Sequence, residues 1–146
     1  MDKFFWVKWK DSKKCEYVVA LLGYLNNRYY FKYNPEFRDE ANVPAGFNGV
    51  PSFGRVLGLD DEQKEKTFSV RSSDTLFDFF KMRIVKESEK ETWKNYGMEE
   101  YNECEILAAT KGKVPTDTFF VEEMDVEAVK DIKNTYAKDE EIFIER

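Results

Sequence analysis

The sequence predicts an α+β fold: an N-terminal antiparallel β-meander packed against several short helices, with a C-terminal helix and a short closing strand. Three observations predict it. Apolar and aromatic residues alternate with a period of two over much of the first third of the chain, as half-buried strands require. An Asn-Asn step separates two of those runs, and Asn tolerates the positive φ that a tight hairpin turn demands. From Asp74 onward the apolar spacing becomes helical, with capping residues ahead of the runs.

Taken in order, Phe4–Trp9 (FFWVKW) is aromatic and β-branched and reads as a strand, followed by a turn at Asp11–Lys14. Glu16–Leu25 (EYVVALLGYL) is a second strand, long enough that Gly23 is expected to mark a bulge or bend. Asn26-Asn27 then leads into Arg28–Tyr33 (RYYFKY), completing the meander. Asn34-Pro35 starts a turn, and Pro44, Gly46, Gly49, Pro51, Gly54 and Gly58 keep the middle irregular. Ala45–Phe53 (AGFNGVPSF) is expected to form an ordered loop over the sheet, Asp60–Lys66 a charged, mobile excursion, and Phe68–Val70 a short strand.

In the second half, Asp74 is expected to cap a helix running through Phe80, apolar nearly all round and therefore part of the core. Ser88 and Glu91 have capping-box spacing ahead of a helix carrying Trp93 and Tyr96, which Gly97 stops. Met98, Tyr101, Cys104 and Leu107 recur at helical spacing as far as Gly112. Thr116–Glu122 reads as a strand, Asp125 as the cap of a last helix with Val126, Val129, Ile132 and Tyr136, and Glu141–Glu145 as a closing strand. The chain is read as a single domain over residues 1–146, in which 123–146 form an acidic addition to 1–122.

At 146 residues the chain can bury about two-thirds of its surface without a disulfide or a metal. Its 13 Phe, 8 Tyr and 3 Trp supply an unusual share of that burial, at roughly 150–250 Å² each. The net charge of −6 is local: Glu122–Arg146 holds nine acidic and four basic residues, which accounts for −5 of it. Phosphate backbones are gripped mainly by Lys and Arg, so autonomous nucleic-acid binding is disfavoured. No apolar run approaches the roughly 20 residues of a membrane span, and Lys8, Lys10 and Asp11 interrupt the early aromatic stretch, so no signal peptide is expected. Cys15 and Cys104 are far apart and form no CxxC, which suits free thiols in the reducing cytoplasm.

The chain contains no histidine. Its absence removes the commonest general base, the Ser-His and Cys-His pairs and most zinc sites. Cys104 falls on an apolar helical stripe and is expected to be an inert buried thiol, while Cys15 begins a strand beside Lys13 and Lys14. Asp60-Asp61-Glu62 lacks the spaced oxygens of a calcium loop, and the glycines of GFNGVPSFG match no phosphate-binding pattern. No catalytic residue, cofactor or metal site is therefore expected, and the reading is of a protein-binding domain rather than an enzyme.

Several runs resemble the N-terminal subdomain of HipA-type proteins, which are bacterial toxin kinases. Thr75–Ile84 (TLFDFFKMRI) resembles its LFPFFDNRLP helix, with Lys81-Met82 standing where that family has its Asn. Tyr96-Gly-Met98 and Tyr101–Leu107 (YNECEIL) resemble its lGl…d.fdLL helix, Lys111–Thr118 its closing Gly-rich turn and strand, and Tyr30–Glu36 its YdPe strand end. The resemblance spans about residues 3–122, and GFNGVPSF is similar to the related domain that precedes HIRAN modules. It implies a small non-catalytic domain, in stand-alone form an antitoxin-like partner of a HipA-type serine/threonine kinase. The kinase's own phosphate loop and catalytic Asp motifs do not follow.

The expected function is accordingly that of a non-catalytic, protein-binding regulator. Arg83, Trp93 and Tyr96 are the candidate partner-binding residues, because Trp, Tyr and Arg dominate interface hot spots. Phe47 and Phe53 are further candidates, as a partner-binding ridge on the Gly-containing loop. The alternatives are an accessory nucleic-acid module of the HIRAN-linked kind, stacking bases on the aromatic, mildly basic N-terminal sheet, and an acidic inhibitor from a mobile element. The oligomeric state is left open.

Overall fold

The computed structural model describes residues 2–125 together with 127 and 128. Strands β1 (Lys3–Lys10), β2 (Glu16–Leu25) and β3 (Arg28–Tyr33) form the meander that the alternating sequence predicts. Asn26 and Asn27 sit at φ 48° and 64°, the left-handed conformations that a two-residue turn requires. β4 (Arg71–Ser73) and β5 (Phe119–Glu123) complete a five-stranded antiparallel sheet in the order β4-β3-β2-β1-β5. The chain's fifth strand thus lies beside its first.

Helices α1 (Asp61–Thr67), α2 (Asp78–Lys81), α3 (Lys90–Lys94) and α4 (Glu103–Thr110) are short, and 3-10 turns occupy Pro35–Arg38 and Glu40–Asn42. Alternation fixes which strand residues face them. Phe5, Val7, Leu22, Phe31, Tyr33 and Val121 point to one side, the front, where they join Phe79 and Phe80 of α2 and Cys104 and Leu107 of α4 in the main core. Trp93 of α3 packs with Met98 and Ile106 in a smaller cluster beyond α4. Phe4, Leu25 and Tyr30 point to the back.

Several local elements differ from the expectation, each for a physical reason. The bulge is at β2's Val19, opposite the Val7/Lys8 step, whereas Gly23 pairs regularly between Phe4 and Tyr30. Bulging turns both Val19 and Ala20 into the core. Asp60–Lys66 is not an excursion: Asp60 caps α1, its side chain accepting from the Gln63 N–H while the Gln63 side chain accepts from the Asp60 N–H. Asp74 caps no helix, because its carboxylate is bound by Arg28 of β3, and α2 begins only at Asp78 without a side-chain cap. Ser88 likewise forms no capping box, since Glu89 is the N-cap of α3 and makes no side-chain cap bond. The strand expected at Phe68–Val70 falls instead at Arg71–Ser73, where β3 is within reach.

At the far end, the Ala128 N–H donates to the Asp125 carboxylate at 2.7 Å, the bond of a helix cap. The rest of the helix expected after Asp125, and the strand expected at Glu141–Glu145, lie outside the described residues. Among the described residues no helix is long and apolar enough to cross a membrane.

Candidate functional site

The Gly-containing loop is closed over the sheet by its buried residues Phe47, Val50 and Phe53. Phe53 stacks on Phe31 of β3 with ring centroids 3.6 Å apart, and Phe47 packs against Trp9 at 5.4 Å. Tyr33 bridges the loop's two limbs from below: its hydroxyl donates to the Gly54 carbonyl and accepts from the Val50 N–H, both at 2.7 Å. Burial pushes that phenol up to about 12, so it stays a neutral donor. Gly49 has φ 123°, and any Cβ there would collide with the Gly54 carbonyl, so glycine is required for the close approach of the limbs. Phe47 and Phe53 are 2% and 5% exposed. They are core anchors rather than a surface ridge, because their rings fill the space above the sheet.

Trp93 and Arg83 are also interior groups. The Trp93 indole N–H donates to the Glu87 carbonyl at 2.8 Å, and its ring meets Tyr101 edge-on at 5.9 Å. The Arg83 side chain, 6% exposed, donates to both Asp117 carboxylate oxygens and to the carbonyls of Gly112 and Phe119. Its guanidinium also lies over the Phe79 ring, 4.6 Å from the centroid. Arg83 therefore clamps the segment after α2 to the turn between α4 and β5. The paired guanidinium holds the Asp117 carboxyl below the ordinary carboxylate range. Of the five candidates only Tyr96, 42% exposed, presents a substantial surface.

A concave feature lies elsewhere on the described surface. A cleft of about 450 Å³ opens between the β2–β3 hairpin end (Tyr24, Tyr29), the segment Lys81–Glu87 and the entry to α4 (Tyr101–Cys104). Each wall has a local cause. The tight Asn-Asn turn puts Tyr24 directly opposite Tyr29, with rings 4.6 Å apart. Asn102 caps α4 by accepting from the Glu105 N–H, which fixes Glu103 and Cys104 in the first turn. The Tyr101 hydroxyl donates to the Val85 carbonyl at 2.6 Å and ties the opposite wall to that turn.

A hydrogen-bonded chain runs through the floor. The Cys104 thiol donates to the Tyr29 hydroxyl, 3.8 Å away, and that hydroxyl donates to the Glu103 carboxylate at 3.1 Å. Burial pushes the Cys104 thiol up to about 11, and Tyr29 is raised by burial together with the neighbouring Cys104 and Glu103. At neutral pH both groups keep their protons, so the thiol is not poised as a nucleophile. Among the described residues no group of three or more Cys, Asp or Glu side chains is arranged to hold a metal ion.

The cleft thus offers two phenols in tilted ring contact, a partly apolar wall at Ile84 and Val85, ammonium groups at Lys81 and Lys86, and carboxylates at Glu87 and Glu103. Tyr24 and Tyr29 carried no sequence motif, but the hairpin itself contained the signal. A two-residue turn at Asn26-Asn27 sets residue 24 opposite residue 29. Protein-family models, curated proteins and solved structures offer no match to this chain, which leaves the geometry of the cleft and of the sheet to carry the functional argument.

Proposed function

We propose that this chain is a non-catalytic, protein-binding regulator that receives a segment of its partner in the Tyr24–Tyr29–Tyr101 cleft. The observation that carries the reading is the cleft's composition: ammonium and carboxylate groups surround a pair of tilted phenols in ring contact, while the thiol and the more buried phenol are held neutral. Such a surface provides an aromatic anchor with flanking charges for register, as peptide-recognition sites do. Its reactive groups are tied into the scaffold rather than aimed at a reacting atom.

The class of partner comes from the resemblance. Two of the runs similar to the HipA N-terminal subdomain, Thr75–Ile84 and Tyr101–Leu107, supply Lys81, Ile84, Tyr101, Asn102, Glu103 and Cys104 to this one cleft. A HipA-type serine/threonine kinase, in the bacterial cytoplasm, is accordingly the proposed partner, with this chain acting as an antitoxin-like restraint. Both cysteines are free, with Cys15 exposed, as a reducing compartment would keep them.

Calorimetric titration of the full chain against a purified HipA-type kinase encoded beside its gene tests the reading. Tight binding that Lys86→Glu weakens about tenfold or more, equivalent to about 1.4 kcal/mol, is the expected result. Absence of binding, or binding indifferent to substitutions at both Lys81 and Lys86, would overturn it.

A further inference from the structure

One wall of the cleft is rich in hydrogen-bond donors and poor in open acceptors. Residues 84–87 belong to neither a helix nor a strand. Three of their carbonyls are engaged: Val85 by the Tyr101 hydroxyl at 2.6 Å, Lys86 by the Glu89 N–H at 3.0 Å and Glu87 by the Trp93 indole at 2.8 Å. Their four N–H groups, by contrast, have no acceptor among the described residues. A main-chain donor outside the ladders of a fold calls for water or a ligand.

The side chains extend this bias. Lys81 and Lys86 line the cleft at exposed positions, and neither ammonium forms an ion pair among the described residues. The carboxylates of the cleft are differently placed. That of Glu103 accepts from the Tyr29 hydroxyl at 3.1 Å. After the larger effect of burial, Glu103, Glu87 and Glu89 raise the Tyr101 phenol, so negative charge gathers about that hydroxyl. Neither lysine is among the charges that shift Tyr101 or Tyr29.

The rings of Tyr24 and Tyr29, 4.6 Å apart, and part-buried Ile84 and Val85 add apolar surface between these groups. Hydrocarbon suits that surface, whereas free N–H and ammonium groups call for carbonyl and carboxylate oxygens. A basic segment would bring donors to donors.

We infer that the cleft's ligand is an acidic peptide segment. An Asp or Glu side chain pairs with Lys81 and Lys86, an adjoining apolar side chain rests on Tyr24 and Tyr29, and main-chain carbonyls accept from the N–H groups of residues 84–87. Main-chain bonds supply affinity, and the side-chain contacts supply the choice of sequence. The inference rests on the cleft being the recognition site proposed above, but not on the partner being a kinase.

Selection of short random peptides displayed on phage against the full chain tests it, followed by amide hydrogen exchange with the most enriched peptide made synthetically. The expected result is enrichment of peptides that place Asp or Glu beside Leu, Ile, Phe or Trp. With its net charge of −6 the chain as a whole repels such peptides, so their enrichment reports a local site. The bound peptide is expected to slow exchange at residues 84–87 about tenfold or more. Lys81→Glu combined with Lys86→Glu, both at exposed positions, is expected to weaken it about tenfold or more. Enrichment of basic peptides, no enrichment at all, unchanged exchange at residues 84–87, or binding indifferent to the double substitution would each overturn the inference. Calorimetry with the kinase keeps the two readings apart. Kinase binding without peptide enrichment removes this inference alone, and acidic peptides that bind where the kinase does not remove the kinase alone.

Discussion

Aromatic side chains serve opposite ends in two regions of this molecule. In the Gly-containing loop, Phe47 and Phe53 turn inward, pack on sheet rings and close the loop over Tyr33. At the hairpin end, Tyr24 and Tyr29 meet with tilted rings beside a cleft whose other walls combine Ile84 and Val85 with charged groups. Both regions combine aromatics with tight turns, and in sequence the loop is the more conspicuous. The difference lies in the cover. The loop brings its own apolar residues, Phe47, Val50, Phe53 and Val56, to fill the space above the sheet. The Lys81–Glu87 segment brings two lysines and a glutamate to the groove it lines, beside Ile84 and Val85. Rigidity belongs to the first region, and the second is the proposed recognition surface.

Substitutions should separate the two. Phe53→Ala removes a ring stacked in the centre of the core and is expected to cost about 3–5 kcal/mol in denaturant unfolding. Arg83→Met breaks the clamp between the segment after α2 and β5 and leaves Asp117 short of its partner. The expected loss is about 2–4 kcal/mol at neutral pH, below the fully buried limit because Asp117 keeps some contact with solvent. The sign of its pH dependence follows from the depressed folded pKa of Asp117. The clamp's contribution is present above the unfolded carboxylate value, about pH 4, and is lost as pH falls through the folded value. Unfolding curves from pH 7 to 2 should therefore show the wild type and Arg83→Met converging at the acid end.

Much of the sheet was legible from local sequence, while contacts made at long range were not. The alternation of β1 to β3 and the Asn-Asn turn are local properties, and the strands fall where the pattern puts them. Asp74 has the credentials of a helix cap, yet Arg28 reaches it from β3 and removes it from that role. The register of β5 against β1 likewise depends on a contact across almost the whole described chain. Residue type alone points to Arg83, Trp93 and Tyr96, and type does not report burial. Arg83 and Trp93 have interior partners, Asp117 and the Glu87 carbonyl, that no spacing rule reveals. The cleft was half legible, since the turn fixes Tyr24 against Tyr29, but its other walls come from residues 81–104.

Smaller effects sharpen the contrast on the cleft side. Thiol titration of the native protein at pH 8 should count one fast-reacting group, Cys15, with Cys104 reacting only on unfolding. A fast Cys104 would mean that the floor of the cleft is open and its thiol available for chemistry. Lys81→Glu and Lys86→Glu, at exposed positions, should change unfolding stability by no more than about 0.5 kcal/mol while weakening partner binding.

The most direct measurement is a backbone chemical-shift titration of the isotope-enriched chain with a purified HipA-type kinase. The account predicts perturbations concentrated at Tyr24, Tyr29, Lys81–Glu87 and Tyr101–Cys104, with Phe47–Phe53 unaffected. Perturbations centred on Phe47–Phe53, or none at saturating kinase, would contradict it.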